Sequence, residues 1–501
     1  MAKIKFTPIL FFIPFCFSIG CQSKKSVWSV SFPNVTSSSS IKCVDLNNDG
    51  VQDIVIGAGG VEWDKTDTGV LAIDGKNGAK IWQAKARNQI VGSAVFLDIN
   101  ADKTLDIIIG GRSAELQVLD GKTGKLIWEF YSKPGRLAAY DEGWFNFFNP
   151  QLVLDQNNDG LKDILICNGG NALMAAGSLN RPAGKIMLLS SKSGEILASD
   201  LSPDGHEIYS TPVCIDCETN PNPQFLFGTG GENQGGNLYL TDLNSLKKKG
   251  LKLAKIIANS ANKGFISPPV LADFNLDKTL DILVNQANGT TTLIDGKSLN
   301  QIWKVTADST EVYGQPAIGN FTGNDKYLDV FVSFSKGQYP DYQHNINFLI
   351  DGKTGKVVLK NIFGKFTYSS PLVADIDNNG VDEVILNTID DYSERDQKKP
   401  FYQILFFDSS KNKFEPFSSK KYGACFASTP WLGDLDNNGQ LDLIYSGSPA
   451  AISDFPGTTT FIKPPLLLQM HREEFENIKP NSVKWGQYLG VNSQSIFKQL
   501  K

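Results

Sequence analysis

Six short loops carry oxygen-bearing side chains at a spacing that suits a divalent cation. The clearest loop runs from Asp155 to Asp163, with Asp or Asn at its first, third, fifth and ninth positions and Gly160 at the sixth. Ca²⁺ takes six to eight oxygen ligands, and alternate positions of a curled loop turn carboxylate and amide oxygens inward. Glycine accepts the positive φ of such a turn. An Asx-Gly turn between two strands is the alternative for one copy, but repetition favours a metal site.

The acidic loops mark a unit that repeats along the chain. The six clear copies begin at Asp45, Asp98, Asp155, Asp273, Asp375 and Asp434. Two degenerate copies, at Asp216 and Asn320, fill the gaps, so eight starts lie 47 to 61 residues apart. Each unit holds an apolar strand, the loop, a β-branched strand, a third strand ending in a glycine turn, and a fourth strand. Four short strands repeated radially predict an all-β fold, a β-propeller of four-stranded blades, with eight blades expected and seven as the alternative.

Tryptophan marks the fourth strand of several units. Trp82, Trp128 and Trp303 each follow the Asp of an Asp-Gly turn by eight residues. Because one blade cannot bury both of its faces, we expect these rings to pack between blades rather than to stack on a ligand.

The sequence alone does not decide which segment closes the ring. Residues 26–30 match a fourth strand without a blade of its own, and 466–469 match the third strand of the last unit. Residues 483–488 match another fourth strand or a cap. Either terminus can therefore complete the last blade.

The first residues form a targeting segment. Lys3 and Lys5 precede a short apolar stretch, 9–17, and small residues then lead to Cys21. The stretch is too short to span a bilayer as a helix, and the small residue before the cysteine resembles a bacterial lipobox. We predict a lipoprotein signal peptide over residues 1–20 and lipid modification of Cys21. Ordinary signal cleavage or an uncleaved anchor is the alternative.

The domain organisation follows from this segment and the repeats. Residues 21–26 form the lipidated cysteine and a short tether, and 27–501 form a single propeller with a closing or capping segment at about 455–501. The predicted location is the bacterial cell envelope, with the outer membrane or cell surface preferred, and the membrane is contacted through the lipid.

Composition excludes several classes of protein. The formal net charge of −5 provides no basic field for nucleic acid. The three histidines, at 206, 344 and 471, have neither triad nor zinc-protease spacing, so no catalytic residue is predicted. Cys214 and Cys217 have CxxC spacing without a second such pair, which favours buried thiols or one local disulfide. We expect a monomer.

The repeated segments resemble two groups of propellers over residues 27–485. The acidic loops are similar to the FG-GAP/VCBS repeats of integrin alpha-chain propellers. The segment Asp-Gly-Lys-Thr-Gly-Lys-x-x-Trp at 120–128 resembles the repeats of quinoprotein (PQQ-like) propellers. The first resemblance implies up to six structural Ca²⁺ ions. It carries their ligands over to Asp45, Asn47, Asp49 and Asp53; Asp98, Asn100, Asp102 and Asp106; Asp155, Asn157, Asp159 and Asp163; Asp273, Asn275, Asp277 and Asp281; Asp375, Asp377, Asn379 and Glu383; and Asp434, Asp436, Asn438 and Asp442.

Two of these loops depart from the pattern at the turn itself. Lys103 and Lys278 occupy the glycine position, where positive φ costs a non-glycine residue roughly 1 kcal/mol or more. Their charge also opposes a cation, so these two sites are predicted to be weaker. The fourth and sixth units, at Asp216 and Asn320, are predicted to hold no metal.

The expected function is that of a calcium-stabilised, non-enzymatic binding or scaffold protein with a protein or glycan partner. Its contact surface is predicted on four insertions, 138–148, 168–184, 335–347 and 390–401, which we expect to project from one face. They carry Tyr140, Trp144, Phe145, Phe147, Tyr339 and Tyr342.

Two alternatives belong to other classes. A quinoprotein dehydrogenase is the first, and that resemblance implies a cofactor and Ca²⁺ in the axial tunnel, an acidic base and often adjacent cysteines. The chain has no Cys-Cys pair. An envelope-assembly or polysaccharide-handling propeller is the second.

Overall fold

Nearly every regular element of the chain is a β-strand. The computed structural model describes residues 24–60, 64–130, 145–171, 178, 181–323, 325–339, 341–389, 401–419, 421–422, 427–448, 466–490 and 493–497. Within them, eight antiparallel sheets form the eight blades of a β-propeller, as predicted, and the seven-blade alternative is wrong. No helix in these ranges combines the length and apolar character needed to cross a bilayer.

Blades one to seven follow one another along the chain, and the first strand, β1 (Lys24–Pro33), belongs to blade eight. Blades one and two contain β2 (Lys42–Val44), β3 (Asp53–Gly57), β4 (Thr66–Ile73) and β5 (Lys80–Ala86), then β6 (Val95–Leu97), β7 (Asp106–Gly110), β8 (Leu116–Leu119) and β9 (Leu126–Glu129). Blades three and four contain β10 (Asn146–Phe147), β11 (Gln151–Val153), β12 (Asp163–Gly169), β13 (Lys185–Leu189) and β14 (Ile196–Leu201), then β15 (Val213–Ile215), β16 (Gln224–Gly228), β17 (Gly236–Asp242), the helix α1 (Leu243–Lys248) and β18 (Lys255–Ser260).

The second half of the ring repeats this order. Blades five and six contain β19 (Val270–Ala272), β20 (Asp281–Gln286), β21 (Thr290–Ile294) and β22 (Gln301–Thr306), then β23 (Thr310–Glu311), β24 (Ala317–Gly319), β25 (Asp329–Gln338), β26 (Asp341–Asp351) and β27 (Val357–Ile362). Blades seven and eight contain β28 (Leu372–Ala374), β29 (Glu383–Ile389), β30 (Phe401–Asp408), β31 (Lys413–Pro416) and β32 (Lys421–Tyr422), then β33 (Trp431–Gly433), β34 (Leu441–Gly447) and β35 (Leu467–Phe475), with β36 (Val483–Trp485) added to blade seven.

Burial falls from the axis to the rim of the ring. The second strands β3 and β20 are buried at every residue, which explains their continuous runs of Ile, Val and Leu. The fourth strand β27 instead alternates between half-buried and exposed residues. One face of a fourth strand packs on the neighbouring blade and the other meets solvent.

Apolar clusters join each blade to the next. One cluster packs Ala72 of blade one against Ile107 of blade two. Another packs Ile54 of blade one against Trp431 and Met470 of blade eight. Full burial of an isoleucine or methionine side chain contributes roughly 1.5–3 kcal/mol, so the packing between blades is a major source of stability.

The fourth-strand tryptophans lie in these clusters, as predicted. Each indole Nε1 donates a hydrogen bond of 2.7–2.9 Å to a backbone carbonyl in the glycine turn of another blade. The pairs are Trp28 with Gly75, Trp82 with Gly121, Trp128 with Ser191 and Trp303 with Gly352.

The second glycine of each such turn lies under the same indole. A Cβ added to Gly124 would lie 2.6 Å from the ring of Trp82, and Gly124 has φ +69°. Gly355 has the same relation to Trp303. The turn sequence Asp-Gly-Lys-x-Gly is therefore needed for close packing between blades as well as for the turn.

The ring is closed by the N-terminal strand. β1 pairs with β35, and blade eight has the order β33, β34, β35, β1 from the axis outward. Trp28 in β1 then contacts the turn of blade one. The resemblance of residues 26–30 to a fourth strand is thus confirmed, and 466–469 lead into the third strand.

The C-terminal segment lies inside the ring instead. β36 pairs with β28, the innermost strand of blade seven, at Val373 with Trp485. The fourth-strand interpretation of 483–488 is therefore wrong. The described residues 482–490 and 493–497 continue across inner segments of several other blades, and the contacts are given below.

Candidate functional site

Two groups of side chains qualify as functional: the predicted acidic loops and a cluster around the ring axis that the sequence did not reveal. The loops connect first to second strands, so all of them lie on one face of the ring, here called the acidic face. Cys21, Tyr140 and Trp144 lie outside the described residues.

The first residue of each loop organises the turn. In the first loop, Asp45 accepts hydrogen bonds from the backbone N–H groups of Asn48 and Gly50 at 2.7 and 3.0 Å. Asp49 accepts one from Val51 at 2.9 Å. The same bonds recur in the third loop, where Asp155 accepts from Asn158 and Gly160. These carboxylates therefore already hold the loop in its curled form.

Positive φ occurs at two positions of every clear loop. The sixth position was predicted, and Lys103 and Lys278 there have φ of 74° and 71°, so the expected strain is confirmed. The fourth position is also left-handed, which the sequence did not suggest. Its occupants are Asn48, Ala101, Asn158, Leu276, Asn378 and Asn437, with φ between 57° and 64°.

The closing acid joins the loop to the rest of its blade. Asp53 is fully buried and accepts from the N–H of Leu46 at 2.9 Å and of Gly75 at 3.1 Å. Asp106 and Asp281 make the corresponding pairs of bonds. Burial raises the pKa of Asp53 to about 6, although these two hydrogen bonds act to lower it. The ninth position is thus a structural link between loop and turn as well as a predicted ligand.

Two loops bring their carboxylates closest together. Asp375, Asp377 and Glu383 of the seventh blade each place an oxygen within 4.8 Å of the others. Burial, and then the charges of Asp377 and Asp375, raise the pKa of Glu383 to about 8. A hard cation would relieve this repulsion, so the donor set of this loop fits Ca²⁺. The three carboxylates of the first, second, third and fifth loops do not come this close.

The eighth loop already holds a cation from the chain itself. Asp434, Asp436 and Asp442 form the second close group. The guanidinium of Arg472, which is 2% exposed, donates to Asp442 from Nε at 2.8 Å and to Asp436 from Nη2 at 2.6 Å. Its Nη1 donates to the carbonyl of Gly75 in blade one at 3.0 Å. Calcium at this loop would have to share two predicted ligands with Arg472.

The axial cluster lies on the face opposite the acidic loops. Its side chains come from segments that precede a first strand or follow a second strand, including β23 and the start of β26, and such segments lie on that face. Six blades contribute, and the members of the cluster are Arg112, Arg181, Glu207, Tyr209, Glu232, Lys263, Glu311, Tyr313, Tyr342 and Tyr368.

Ion pairs and tyrosine hydroxyls hold the cluster together. Arg181 contacts Glu207 at 3.3 Å and donates to the Tyr209 hydroxyl at 2.8 Å. Lys263 contacts Glu311 at 2.5 Å. On the same side, Glu311 also accepts from the hydroxyl of Tyr342.

Glu232 lies among these groups and is still exposed. Desolvation, and then the Glu311 carboxylate, raise its pKa, whereas Lys263, Arg181 and Arg112 lower it. Charged groups from blades two, three, five and six thus act on this one side chain of blade four. Because those blades approach one another only near the axis, Glu232 lies near the axis.

A weak repeated signal does mark the cluster in the sequence. Glu207 precedes Tyr209 by two residues, and Glu311 precedes Tyr313 by two, each just before a proline-containing segment that enters a first strand. Lys263 stands at the same place before Phe265.

The predicted contact residues of the insertions lie in two different places. Of the predicted contact residues, Tyr342 belongs to the cluster, and Tyr339 lies beside it, where the Tyr339 N–H donates to Glu311 at 3.1 Å. Phe145 and Phe147 are buried instead, and Phe147 packs edge-to-face on Phe130. Their assignment to a contact surface is wrong because both side chains are buried, Phe147 within the core between blades two and three.

The C-terminal segment fills the axis between the two faces. Lys42 Nζ donates to Tyr488 O at 2.6 Å and to Ser493 Oγ at 2.7 Å. Gln151 donates to Ser493 O at 2.8 Å, and Gln315 donates to Ser495 Oγ at 2.7 Å.

Further backbone bonds complete this arrangement. Leu271 pairs with both Ser495 and Phe497, and Leu432 donates to Gly486 O at 2.7 Å. Residues 482–490 and 493–497 therefore touch inner segments of blades one, three, five, six, seven and eight.

The cysteines of the CxxC segment are free thiols. Cys214 and Cys217 are buried, and burial followed by the hydrogen bond to Cys217 raises the pKa of Cys214. The prediction of buried thiols is confirmed over that of a disulfide.

Known structures support the class of fold. No protein-family model and no curated protein matches the chain. The quinohemoprotein alcohol dehydrogenase of Comamonas testosteroni is similar at a TM-score of 0.56 and 12% identity, over 90% of this chain and 76% of that chain. A europium-containing methanol dehydrogenase gives 0.56 and 10%, over 90% and 93%. The exotype rhamnogalacturonan lyase YesX gives 0.52 and 12%, over 88% and 72%.

At these identities the likeness is one of fold. The chain is an eight-bladed β-propeller of the kind found in quinoprotein dehydrogenases. The resemblance of its loops to FG-GAP/VCBS repeats stays a prediction.

Proposed function

We propose that the protein is an exported, lipid-anchored and calcium-stabilised propeller that binds a partner without catalysing a reaction, and that it binds this partner at the axial cluster. The convergence of six blades on that cluster is the observation that carries the proposal. Propellers place their binding groups where many blades meet, because there a few side chains from each blade form one surface.

The positions of the acidic loops and of the axial cluster support separate roles, stability for the loops and binding for the cluster. The acidic loops are tied to the blade framework through buried closing acids such as Asp53. The axial cluster, by contrast, includes the exposed Glu232. Calcium on the acidic face then serves stability, and the opposite face serves binding.

The position of β1 gives the anchored ring an orientation. Lys24 pairs with Phe475, at the end of β35 that lies on the acidic face. Lys24 follows Cys21 by three residues, which span about 10 Å at most. A lipid on Cys21 would hold the acidic face toward the membrane and direct the axial cluster away from it.

A capture experiment tests the proposed function. The chain with Cys21→Ser is immobilised and exposed to solubilised envelope, with and without Ca²⁺. We expect a partner that is retained by this protein and by the control Tyr327→Ala, a tyrosine of the acidic face, and that is lost with Glu232→Lys or Tyr313→Ala. Equal capture by all four proteins, or no specific capture, would contradict the proposal.

The quinoprotein alternative makes a different prediction. Its cofactor would need space in the axial tunnel, where residues 482–490 and 493–497 lie, and adjacent cysteines are missing from the sequence. Reconstitution with pyrroloquinoline quinone and Ca²⁺ distinguishes the two functions. A bound-quinone absorption band with dye-linked alcohol oxidation would favour the dehydrogenase.

A further inference from the structure

The charges of the axial cluster balance. It contains three cations, Arg112, Arg181 and Lys263, and three carboxylates, which belong to Glu207, Glu232 and Glu311. We propose that its ligand is a neutral saccharide; this rests on the proposed function and names the chemistry of the same site.

The internal pairing of the charges argues against an ionic ligand. Glu207 is held by Arg181 at 3.3 Å, and Glu311 by Lys263 at 2.5 Å. A ligand with one charge would have to break such a pair or meet charges of its own sign. Removing one member of a buried pair is costly, because the other charge is left without compensation.

Paired charged groups can still bind hydroxyls. A carboxylate that accepts from one cation keeps further lone pairs, and a guanidinium has five N–H donors. Sugar hydroxyls donate and accept at once, so they suit a surface on which donors and acceptors alternate. Glu232, which is exposed among Lys263, Arg181 and Arg112, is the side chain best placed to accept such a bond.

Tyrosine rings supply the apolar part of the surface. Tyr209, Tyr313 and Tyr368 are half-buried, so part of each remains accessible. The rings of Tyr313 and Tyr368 lie 4.6 Å apart, and Tyr342 fixes the second through a 2.7 Å hydroxyl contact. Rigid rings bind the C–H face of a pyranose at little entropic cost, because few torsions have to be ordered.

The C-terminal segment gives the site a floor. Two residues beyond Tyr313, Gln315 bonds Ser495 and accepts from the N–H of Leu489. Two residues beyond Tyr209, Thr211 accepts a hydrogen bond from the Asn149 amide, which also donates to the Tyr488 hydroxyl. A chain bound at the cluster therefore cannot pass through the ring, and we infer that the site takes a chain end or a branch.

Glycan binding tests this inference directly. The Cys21→Ser chain is applied to a broad array of immobilised neutral and anionic oligosaccharides, beside Tyr313→Ala, Glu232→Gln and the acidic-face control Tyr327→Ala. We expect binding to neutral glycans with exposed chain ends, at least tenfold weaker for Tyr313→Ala and Glu232→Gln and unchanged for Tyr327→Ala. The Glu232 variant covers the case in which Tyr313→Ala folds poorly.

Three results would overturn the saccharide assignment. They are no binding to any glycan, binding to anionic glycans alone, and binding that none of the cluster variants changes. If the capture experiment then still yields a partner that depends on Tyr313 and Glu232, the proposed function stands and only the ligand class fails.

Discussion

At the scale of single residues, the acidic loops are limited by backbone conformation as much as by ligand chemistry. Four of the six clear loops have Asn at the left-handed fourth position and Gly at the sixth. The second loop has Ala101 and Lys103 at these places, and the fifth has Leu276 and Lys278. Two residues in each of these loops are thus held where L-amino acids are strained.

Replacing Lys103 with Gly should stabilise the protein. The residue has φ 74°, so glycine removes roughly 1 kcal/mol of strain and a positive charge beside three carboxylates. Urea unfolding in excess Ca²⁺ measures the change. Lys122→Gly is the control, because that exposed lysine has no positive φ and should only lose stability. A Lys103→Gly protein no more stable than the parent would contradict the strain argument.

Arg472 supplies the positive charge beside the carboxylates of the eighth loop. Arg472→Met should destabilise the protein by about 3–5 kcal/mol, since it leaves Asp436 and Asp442 buried or half-buried without a counter-charge. Added Ca²⁺ should recover part of the loss, and EDTA should abolish the recovery. Lys85→Met, which breaks an exposed pair with Asp67, should change stability by less than about 1 kcal/mol. A loss equal in Ca²⁺ and EDTA would mean that the loop cannot accept a metal.

At the scale of elements, loop, turn and tryptophan form one joint between blades. The closing acid Asp106 accepts from the N–H of Gly121, and the carbonyl of Gly121 accepts from Trp82 of the preceding blade. The acidic loop therefore supports the turn on which the neighbouring blade rests. We therefore expect loss of metal from a loop to weaken the interface between two blades.

Gly124→Ala should be more harmful than another glycine substitution with similar backbone strain. Both Gly124 (φ +69°) and Gly205 (φ +73°) are left-handed, but only Gly124 has a neighbour, the Trp82 ring, within 3 Å of an added Cβ. We expect a loss of about 1 kcal/mol for Gly205→Ala. Gly124→Ala should lose about 2–4 kcal/mol, because the indole and its hydrogen bond must move. Equal losses in thermal unfolding would show that the interface is not close-packed.

Calcium removal should weaken the joints collectively. Without a cation, close carboxylates such as Asp375, Asp377 and Glu383 repel one another. Binding to the folded state alone stabilises it, so excess EDTA should lower Tm markedly. Refolded protein should regain Tm with Ca²⁺. An unchanged Tm in EDTA would show that the loops work as metal-free turns.

At the scale of the whole molecule, ring closure depends on one long-range pairing. His471 in β35 contacts the hydroxyl of Ser29 in β1 at 2.8 Å and packs on Tyr445. Burial, and then the charge of Lys421, lower the pKa of His471 to about 4, while Glu473 opposes them. The closed ring therefore favours the neutral imidazole of His471 over the protonated one.

Acid should therefore lower the free energy of unfolding of the closed ring. The folded pKa lies below the unfolded value of 6.5, so the stabilising contribution of His471 is complete above about pH 6.5 and is lost as the pH falls toward 4. At about 1.4 kcal/mol per pKa unit, the loss is at most roughly 3 kcal/mol. Urea unfolding at pH 7 and 4.5 should show a larger decrease for the parent than for His471→Asn. Parallel decreases would assign acid sensitivity to the carboxylates alone.

The parts that the sequence predicted are those that recur. Eight loop starts at near-constant spacing and tryptophans at a fixed distance from glycine turns predicted the blades and their packing. Arg472 could not be predicted to reach Asp436, because Arg472 lies in a strand 36 residues beyond that acidic loop and no other blade repeats the pair within the described ranges. The axial cluster was missed for a similar reason. It draws one or a few residues from each of six blades, and only closure of the ring brings them together.

The pairing of β1 with β35 has a consequence for the order of events during synthesis. Ser29 and His471 are 442 residues apart. At about 5–20 residues per second, the first strand waits roughly 20–90 seconds for its partner to be made. Through that interval no ring can close, and the hydrogen-bonding edge of the first strand is free for a chaperone. If the chain is exported as proposed, this late closure would keep it in the unfolded form that an export channel can thread.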